Sequence, residues 1–229
     1  MRTLSNVAGP MVLAATLCLQ GGPAQAAATA APPATPSVAP AGQYHLDKSH
    51  ASVVLRVNHL GFSTYTTRFS RFDAELAFDP GNIPASKVRT TIDASSFEMD
   101  AAPQACLDIV KGPQLLDTAK FSQIIFQSER VEMTGAKSMR ISGTLTLHGV
   151  TRRIALTATF NGGYPGMPNM DPQARVGFSA HGSFKRSEFG MGFGVPAPGT
   201  TMGVGDVVDF SIEAEFTGPP LSAAPESAH

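Results

Sequence analysis

Segment 139–160 constrains the fold more than any other part of the chain, because apolar and polar residues alternate along both of its halves. The apolar residues have odd numbers in the first half and even numbers in the second, which is the two-residue period of strands with one buried face. A two-residue loop at Gly149–Val150, with glycine at the positive-φ position of a type II′ turn, places both sets on the same face. The segment therefore predicts a β-hairpin in which Leu145 lies opposite Ile154.

Six further segments show the same alternation. They lie around residues 53–57, 68–79, 88–92, 122–133, 174–184 and 206–216. Within 122–133 the apolar parity changes near residues 128–130, which predicts a bulge or a sharp bend. Eight strands with one apolar face each, mostly consecutive in sequence, predict an all-β antiparallel barrel or sandwich. The clean alternation favours a closed barrel, in which the first strand pairs with the eighth and no edge stays exposed.

Alternation is lost in two places. Residues 95–116 include the segment Ala105–Val110, which we predict to be a short helix between the third and fourth strands. Residues 187–205 are rich in glycine and proline and predict a long loop, and loops of this length are usually functional or mobile.

An eight-stranded barrel is either filled by its own side chains or wide enough inside for one small ligand. The alternation by itself leaves these two alternatives open.

The two ends of the chain differ in composition from the strand-rich part. Residues 1–26 combine a basic start, an apolar run too short to span a membrane and the small-x-small sequence Ala24-Gln25-Ala26, which together predict a cleaved signal peptide and export to the periplasm. Residues 27–42 and 218–229 are rich in alanine, proline and serine, so we expect a disordered linker and a disordered tail. The folded domain is expected over residues 43–217.

Charge and cysteine content narrow the classes of function. The chain has 17 basic and 18 acidic residues, a formal net charge of -1 and no basic run, so we expect no nucleic-acid partner. Cys106 is the one cysteine left after removal of residues 1–26, so it has no intramolecular disulfide partner. We expect a buried, unreactive thiol at this position, in a fold that depends on its apolar core.

The six histidines do not form a recognisable metal motif, because no HxH, HExxH or Cys-His cluster occurs. There is no GxSxG sequence, and neither Ser49 next to His50 nor Cys106 lies in a motif that would hold a base within reach. We therefore expect no catalytic residue, no metal and no cofactor. The competing hypothesis is a small hydrolase or isomerase that uses His50 or His59 with Asp47 as the neighbouring acid.

Several short motifs resemble the YceI-like family of exported, lipocalin-like β-barrels, which bind polyisoprenoids and other long apolar molecules. The most specific are LTLHGVT at 145–151 and RSEFG at 186–190. The others are Tyr44-x-x-Asp47-x-x-His50, Val53-x-Leu55-x-Val57-x-His59-x-Gly61, Phe69-x-x-Phe72, Phe121-x-x-Ile124-x-Phe126-x-Ser128 and Gly177-Phe178. The resemblance spans the predicted domain and implies an eight-stranded lipocalin-like barrel with one short helix between strands three and four.

The chain departs from the family where relatives usually carry an Arg-Asp-x-His-Leu run. It has Cys106–Val110 there, and it also lacks the glycines expected just before Phe69 and just after Phe72. Because that arginine and histidine are missing, we expect binding to depend on the apolar size of the ligand and not on a single polar anchor.

The resemblance implies a periplasmic binding or carrier protein that holds a long apolar ligand, such as a polyisoprenoid or an isoprenoid quinone, inside the barrel. A long-chain isoprenoid or another lipid is thus the expected partner, while transient membrane contact and the oligomeric state stay open. A barrel with a packed core that acts as an interaction module is a further alternative. The residues expected to contact the ligand are Val53, Leu55, Phe72, Leu76, Phe78, Phe126, Ile141, Leu145, Leu156, Phe178 and Phe210.

Overall fold

The computed structural model of the protein describes residues 39–221, which form ten β-strands, one α-helix and three short 3₁₀ turns. The strands are β1 (Gly42–His59), β2 (Ser63–Phe69), β3 (Phe72–Phe78), β4 (Lys87–Asp93), β5 (Phe97–Glu98), β6 (Gln123–Met133), β7 (Ser138–Leu147), β8 (Val150–Tyr164), β9 (Gln173–Lys185) and β10 (Val204–Pro220). Helix α1 spans Gln104–Lys111, between β5 and β6, which confirms the predicted short helix.

Eight of these strands form a closed antiparallel barrel. Going round the barrel, the order is β1, β3, β4, β6, β7, β8, β9 and β10, and β10 returns to pair with β1. The closing pair runs from His45 opposite Thr217 to His59 opposite Val204. The predicted eight-stranded barrel and the predicted pairing of its first and last strands are both confirmed. Closure pairs the two edges that an open sheet would expose.

One barrel strand changes its neighbour along its length. β1 pairs with β3 near its beginning and with β2 over Val53–His59, and β2 in turn carries the short strand β5. The prediction of a single strand over residues 68–79 is therefore wrong, because the chain breaks at Ser70 and Arg71. Ser96 holds this break: its carbonyl oxygen accepts from the Ser70 N–H at 3.1 Å, and its Oγ accepts from the Arg71 N–H at 3.1 Å.

The hairpin between β7 and β8 turns one residue earlier than predicted. Its loop is His148–Gly149 and not Gly149–Val150, and both loop residues have positive φ, 50° and 73°, as a type I′ turn requires. Leu145 consequently lies opposite Arg152 and not opposite Ile154. The earlier turn shifts the partner of each β7 residue by two positions along β8. A shift of two keeps every side chain on its predicted face, so the alternation alone does not distinguish the two registers.

Two contacts hold His148 in its left-handed conformation. Its Nδ1 lies 3.0 Å from the carbonyl oxygen of Phe189, and its ring packs edge-on against Phe121 with the ring centroids 5.0 Å apart. The β7–β8 turn is thereby joined to the segment that follows β9.

The predicted bulge in the 122–133 strand is confirmed. β6 loses register with β7 between Ser128 and Arg130, and Gly143 of β7 lies opposite Ser128. A Cβ atom at Gly143 would clash with the carbonyl oxygen of Gln127. Glycine is thus needed for the close approach of β7 to the bulged strand.

The described region begins at Ala39, which is buried, so the chain is already packed before β1 starts. β1 begins at Gly42 and β10 ends at Pro220, against a domain predicted over residues 43–217. The predicted signal peptide lies outside the described residues, as do most of the predicted linker and tail. Within residues 39–221, no helix has the length and apolar character needed to span a membrane.

Candidate ligand-binding cavity

The barrel encloses a cavity of about 720 Å³. Small-molecule sites in proteins have volumes of roughly 300–1,000 Å³, so this cavity is of the size that holds one ligand. Its wall is built by the inward-facing side chains, because every second residue of a strand points to the same face. The barrel interior therefore contains open space that its own side chains do not fill.

All eleven residues that the sequence predicts as ligand contacts line this cavity. They come from β1, β3 and β6 to β10, and they are Val53, Leu55, Phe72, Leu76, Phe78, Phe126, Ile141, Leu145, Leu156, Phe178 and Phe210. Their shared position on the wall follows from their parity along the strands. Their contact with a ligand stays a prediction.

Aromatic side chains close one end of the barrel, where β1 begins and β10 ends. The rings of Phe78, Phe160 and Phe178 have centroids 5.3 to 6.0 Å apart, and the fully buried Tyr44 ring lies 5.7 Å from Phe78. The Tyr44 hydroxyl donates to the carbonyl oxygen of Pro40 at 2.7 Å, and burial raises the pKa of Tyr44. This aromatic floor leaves the opposite end as the way in for a ligand.

The mouth of the cavity is formed by the β1–β2 turn, the segment around α1 and the loop that precedes β10. The Leu60 N–H donates to the Gly203 carbonyl oxygen at 2.9 Å, which joins the first of these segments to the third. Ile109 of α1 and Phe193 of the loop line the cavity and are also partly exposed to solvent. The exposed large apolar side chains of the three segments are Phe62, Ile109, Phe193 and Met202.

Sequence reasoning missed the part of the wall that comes from residues 97–116. It consists of Phe97, Met99, Ala102, Pro103, Cys106, Ile109, Val110, Leu115 and Leu116. The two-residue period is absent there, and the usable signal was instead the helical spacing of Cys106, Ile109 and Val110, which places them on one side of α1. The expectation of a buried Cys106 thiol is wrong, because α1 lies at the rim of the mouth and leaves this residue exposed.

Polar groups are a minority of the cavity wall. They are His59, Ser63, Tyr65, Thr67, Ser86, Lys87, Thr90, Cys106 and Arg186. Most of the wall consists of aliphatic and aromatic side chains, which bind a ligand by removing its apolar surface from water. This arrangement favours the binding of an apolar molecule.

Arg186 is the most deeply buried charged group of the wall, with 6% of its surface exposed. Its Nε donates to the Gly205 carbonyl oxygen at 2.9 Å, and its Nη1 donates to the carbonyl oxygens of Met191 and Phe193, both at 2.7 Å. Its Nη2 donates to the Val204 carbonyl oxygen at 2.7 Å. These bonds hold both ends of the loop before β10. Burial lowers the pKa of Arg186, yet a guanidinium stays protonated in proteins.

Of the three residues considered for a hydrolase, His50 and Asp47 lie outside the cavity and His59 lines it. His50 is on a bulge of β1, its side chain is 59% exposed, and neither His50 nor Asp47 lines the cavity. Asp47 Oδ2 and Ser49 Oγ approach the same ring nitrogen, His50 Nδ1, at 3.0 and 3.4 Å, whereas a Ser-His-Asp relay needs them on different nitrogens. His59 is at the far end of β1, roughly 35–40 Å from Asp47 along the strand.

Asp47 instead pairs with Arg175 of β9, at 2.6 Å between Asp47 Oδ2 and Arg175 Nη1. The Ser49 hydroxyl and the Arg175 guanidinium hold the pKa of Asp47 well below its usual range. Asp47, His50 and Glu215 each place one potential metal-ligand atom within 4.8 Å of the others. Arg175 Nη1 is also 3.9 Å from Glu215 Oε2, so a cation between the two carboxylates would meet the positive charge of the guanidinium. The cluster is an ion-pair network that joins β1, β9 and β10.

The sequence and the fold both match known proteins. The sequence model of the YceI-like domain matches residues 44–216. A UPF0312 protein of Vibrio cholerae serotype O1 is 32% identical to this chain over 184 residues, which covers 79% of this chain and 89% of the relative.

Two solved structures have a similar fold. BcnA of Burkholderia cenocepacia superposes with a TM-score of 0.62 at 21% identity, covering 74% of this chain and 98% of BcnA. A polyisoprenoid-binding domain from Saccharophagus degradans superposes with a TM-score of 0.56 at 14% identity, covering 77% of this chain and 98% of that domain. With the family match over nearly the whole barrel, these similarities show that the chain belongs to the YceI-like family.

Proposed function

We propose that this protein is a binding or carrier protein for one long apolar molecule, such as a polyisoprenoid or an isoprenoid quinone, held inside the barrel. The observation that carries the proposal is the cavity of about 720 Å³ with its aliphatic and aromatic wall. The polyisoprenoid-binding domain of Saccharophagus degradans, which has the same fold, supports it. The position of His50 and Asp47 outside the cavity favours binding over hydrolysis or isomerisation.

The size of the cavity limits how much of such a ligand it holds. If each non-hydrogen atom takes the ~30 Å³ that a water molecule occupies in the liquid, the cavity accommodates roughly two dozen of them. A longer chain would have its remainder outside the mouth. Phe62, Ile109, Phe193 and Met202 lie there as exposed apolar side chains and would contact that remainder.

Burial of the ligand's apolar chain is sufficient for a dissociation constant in the micromolar range. Each buried methylene contributes about 0.8 kcal/mol, so a chain that buries about fifteen of them, and does not yet fill the cavity, gains roughly 12 kcal/mol before costs. Loss of translational and rotational freedom and ordering of the chain cost at least ~4 kcal/mol. The net of about 6–8 kcal/mol corresponds to a dissociation constant in the micromolar range. Such a site selects its ligand by length and shape.

The proposal includes export to the periplasm, for which the sequence of residues 1–26 is the support. A carrier there would exchange its ligand with a membrane. The apolar side chains around the mouth would meet the bilayer during such a transient contact.

The experiment that tests the proposal is native mass spectrometry of the protein purified under mild conditions from the cells that make it. We expect a population heavier than the apo chain by the mass of one lipid, which chloroform extraction releases. The extracted protein should then bind one equivalent of an added long-chain isoprenoid alcohol. An apo mass only, combined with no binding of isoprenoid alcohols by the extracted protein, would overturn the proposal.

A further inference from the structure

The segment around α1 is held less firmly than the other two segments of the mouth. Those two are joined to each other by the bond from the Leu60 N–H to the Gly203 carbonyl oxygen. In contrast, no residue between Phe97 and Leu116 is buried. Among the described residues, no backbone hydrogen bond joins the segment 99–116 to a strand. Few buried side chains and few backbone bonds are typical of a region that opens locally while the rest of the protein stays folded.

The two ends of this segment differ in their attachment to the barrel. At the C-terminal end, the side chain of Leu116 is buried, and Lys111 Nζ donates to the carbonyl oxygen of Ser95 at 2.8 Å. At the N-terminal end, the Tyr65 hydroxyl donates to the carbonyl oxygen of Asp100 at 3.2 Å, and the first three residues of α1 are all exposed. The C-terminal end of α1 is therefore the natural pivot, and the N-terminal end is the part that is free to move.

Backbone strain is found at the end that is free to move. Ala101 has a left-handed conformation, with φ of 54°, although it carries a Cβ atom. Left-handed conformations are disfavoured for such residues, and hinges are residues at the ends of elements that absorb changes in φ and ψ. The strain at Ala101 favours release of α1 from the mouth, because release lets this residue return to negative φ. Packing of Val110 against the core favours the closed position.

We propose that α1, together with residues 101–103 that precede it, is a lid that moves away from β2 to admit or release the ligand and then closes over it. Ala101 is the hinge at the moving end. Because Cys106, Ile109 and Val110 line the cavity, closure completes the apolar wall around the bound molecule. This inference goes beyond the proposed function, which concerns what the cavity holds and not how its contents enter.

Opening of the lid also unwinds it. Helix α1 has eight residues, and helices shorter than about 12 residues are marginal in water without tertiary contacts. Once α1 has left the barrel, it has lost the contacts that keep it helical. Any change that weakens the helix therefore favours the open state.

The test makes the same change, alanine to glycine, at three positions of the full chain that do not line the cavity. Ala101→Gly relieves the strain of the closed lid, so entry and release of a ligand should both slow by roughly threefold. Ala105→Gly weakens α1, so both rates should rise by about fivefold. Ala119→Gly is the control, since Ala119 is exposed and lies after the lid, and it should leave both rates unchanged.

Stopped-flow fluorescence with the apolar dye N-phenyl-1-naphthylamine gives the association and dissociation rate constants of each protein. Because the lid opens for entry and for release, both rate constants should change by the same factor and the dissociation constant should stay the same. Rate constants of Ala101→Gly and Ala105→Gly equal to those of the wild type, or a change in release alone, would overturn the lid and leave the proposed function standing. If the wild type does not bind the dye, the lid and the proposed apolar site both fail.

Hydrogen exchange of the ligand-free protein measures the opening itself. The amides of α1 should exchange at least about 100-fold faster than those of β7, which is paired with strands on both sides. Exchange of the α1 amides should become about fivefold faster still in Ala105→Gly. Amides of α1 that are as well protected as those of β7 would overturn the inference.

Discussion

Filling the cavity from its wall should weaken ligand binding without unfolding the barrel. Ala180 of β9 lines the cavity, between Ala158 of β8 and Ile212 of β10. Ala180→Leu adds three carbons to the wall and so displaces about three carbons of the ligand towards the mouth. At about 0.8 kcal/mol per buried methylene, the loss is roughly 2.4 kcal/mol, which is about 50-fold in the dissociation constant.

The assay is displacement of a fluorescent apolar probe by a long-chain isoprenoid alcohol, combined with chemical denaturation of the same variant. Stability should change by less than about 1 kcal/mol, because the new side chain enters existing space. Ser183→Leu is the control, since Ser183 is on the same strand but exposed on the outer face, and it should bind like the wild type. Wild-type affinity in Ala180→Leu together with a loss of about 1–3 kcal/mol of stability would mean that the interior is packed at this point, and the reasoning would fail.

Three further predictions concern stability and processing. Gly143→Leu should lower the free energy of unfolding by about 1–3 kcal/mol or more, because its Cβ would clash with the Gln127 carbonyl oxygen whether or not the cavity is empty. An unchanged midpoint of chemical denaturation would contradict this packing. Asp47→Asn should cost about 1–3 kcal/mol at neutral pH. The Ser49 hydroxyl and Arg175 lower the pKa of Asp47, so the wild type has this extra stability above the ordinary aspartate pKa and loses it as the pH falls through the folded-state pKa. The difference in stability between the wild type and Asp47→Asn should therefore shrink in acid. A difference that stays constant with pH would refute the assignment. N-terminal sequencing of the exported protein should begin near Ala27, and an intact Met1 would exclude cleavage of a signal peptide.

The barrel was predictable because strand period and face are local properties of the sequence. Leu145, Ile141 and Leu156 share a face in either hairpin register, so the cavity wall followed from parity even though the predicted turn was wrong. The true turn depends on contacts of His148 with Phe189 and Phe121, which are 41 and 27 positions away in the chain. Such long-range contacts leave no periodic signal.

The mouth was less predictable than the wall for a related reason. The segment around α1 and the loop before β10 have no strand period. The loop is held by four hydrogen bonds from Arg186 to backbone carbonyl oxygens, which no sequence pattern reveals. The break between β2 and β3 depends in the same way on Ser96, which is 25 residues from Arg71. The RSEFG motif marked Arg186 as specific to the family, but only the structure shows that its guanidinium is buried and bonded to four backbone carbonyl oxygens.

A series of isoprenoid alcohols of increasing length, titrated into the delipidated protein, tests the central claim most directly. If the barrel holds the chain in its cavity, binding should strengthen by about 0.8 kcal/mol for each added methylene equivalent, or about fourfold in the dissociation constant. The gain should level off near two dozen buried carbons, when the cavity of about 720 Å³ is full. An affinity that does not depend on chain length, or no binding at any length, would contradict the account.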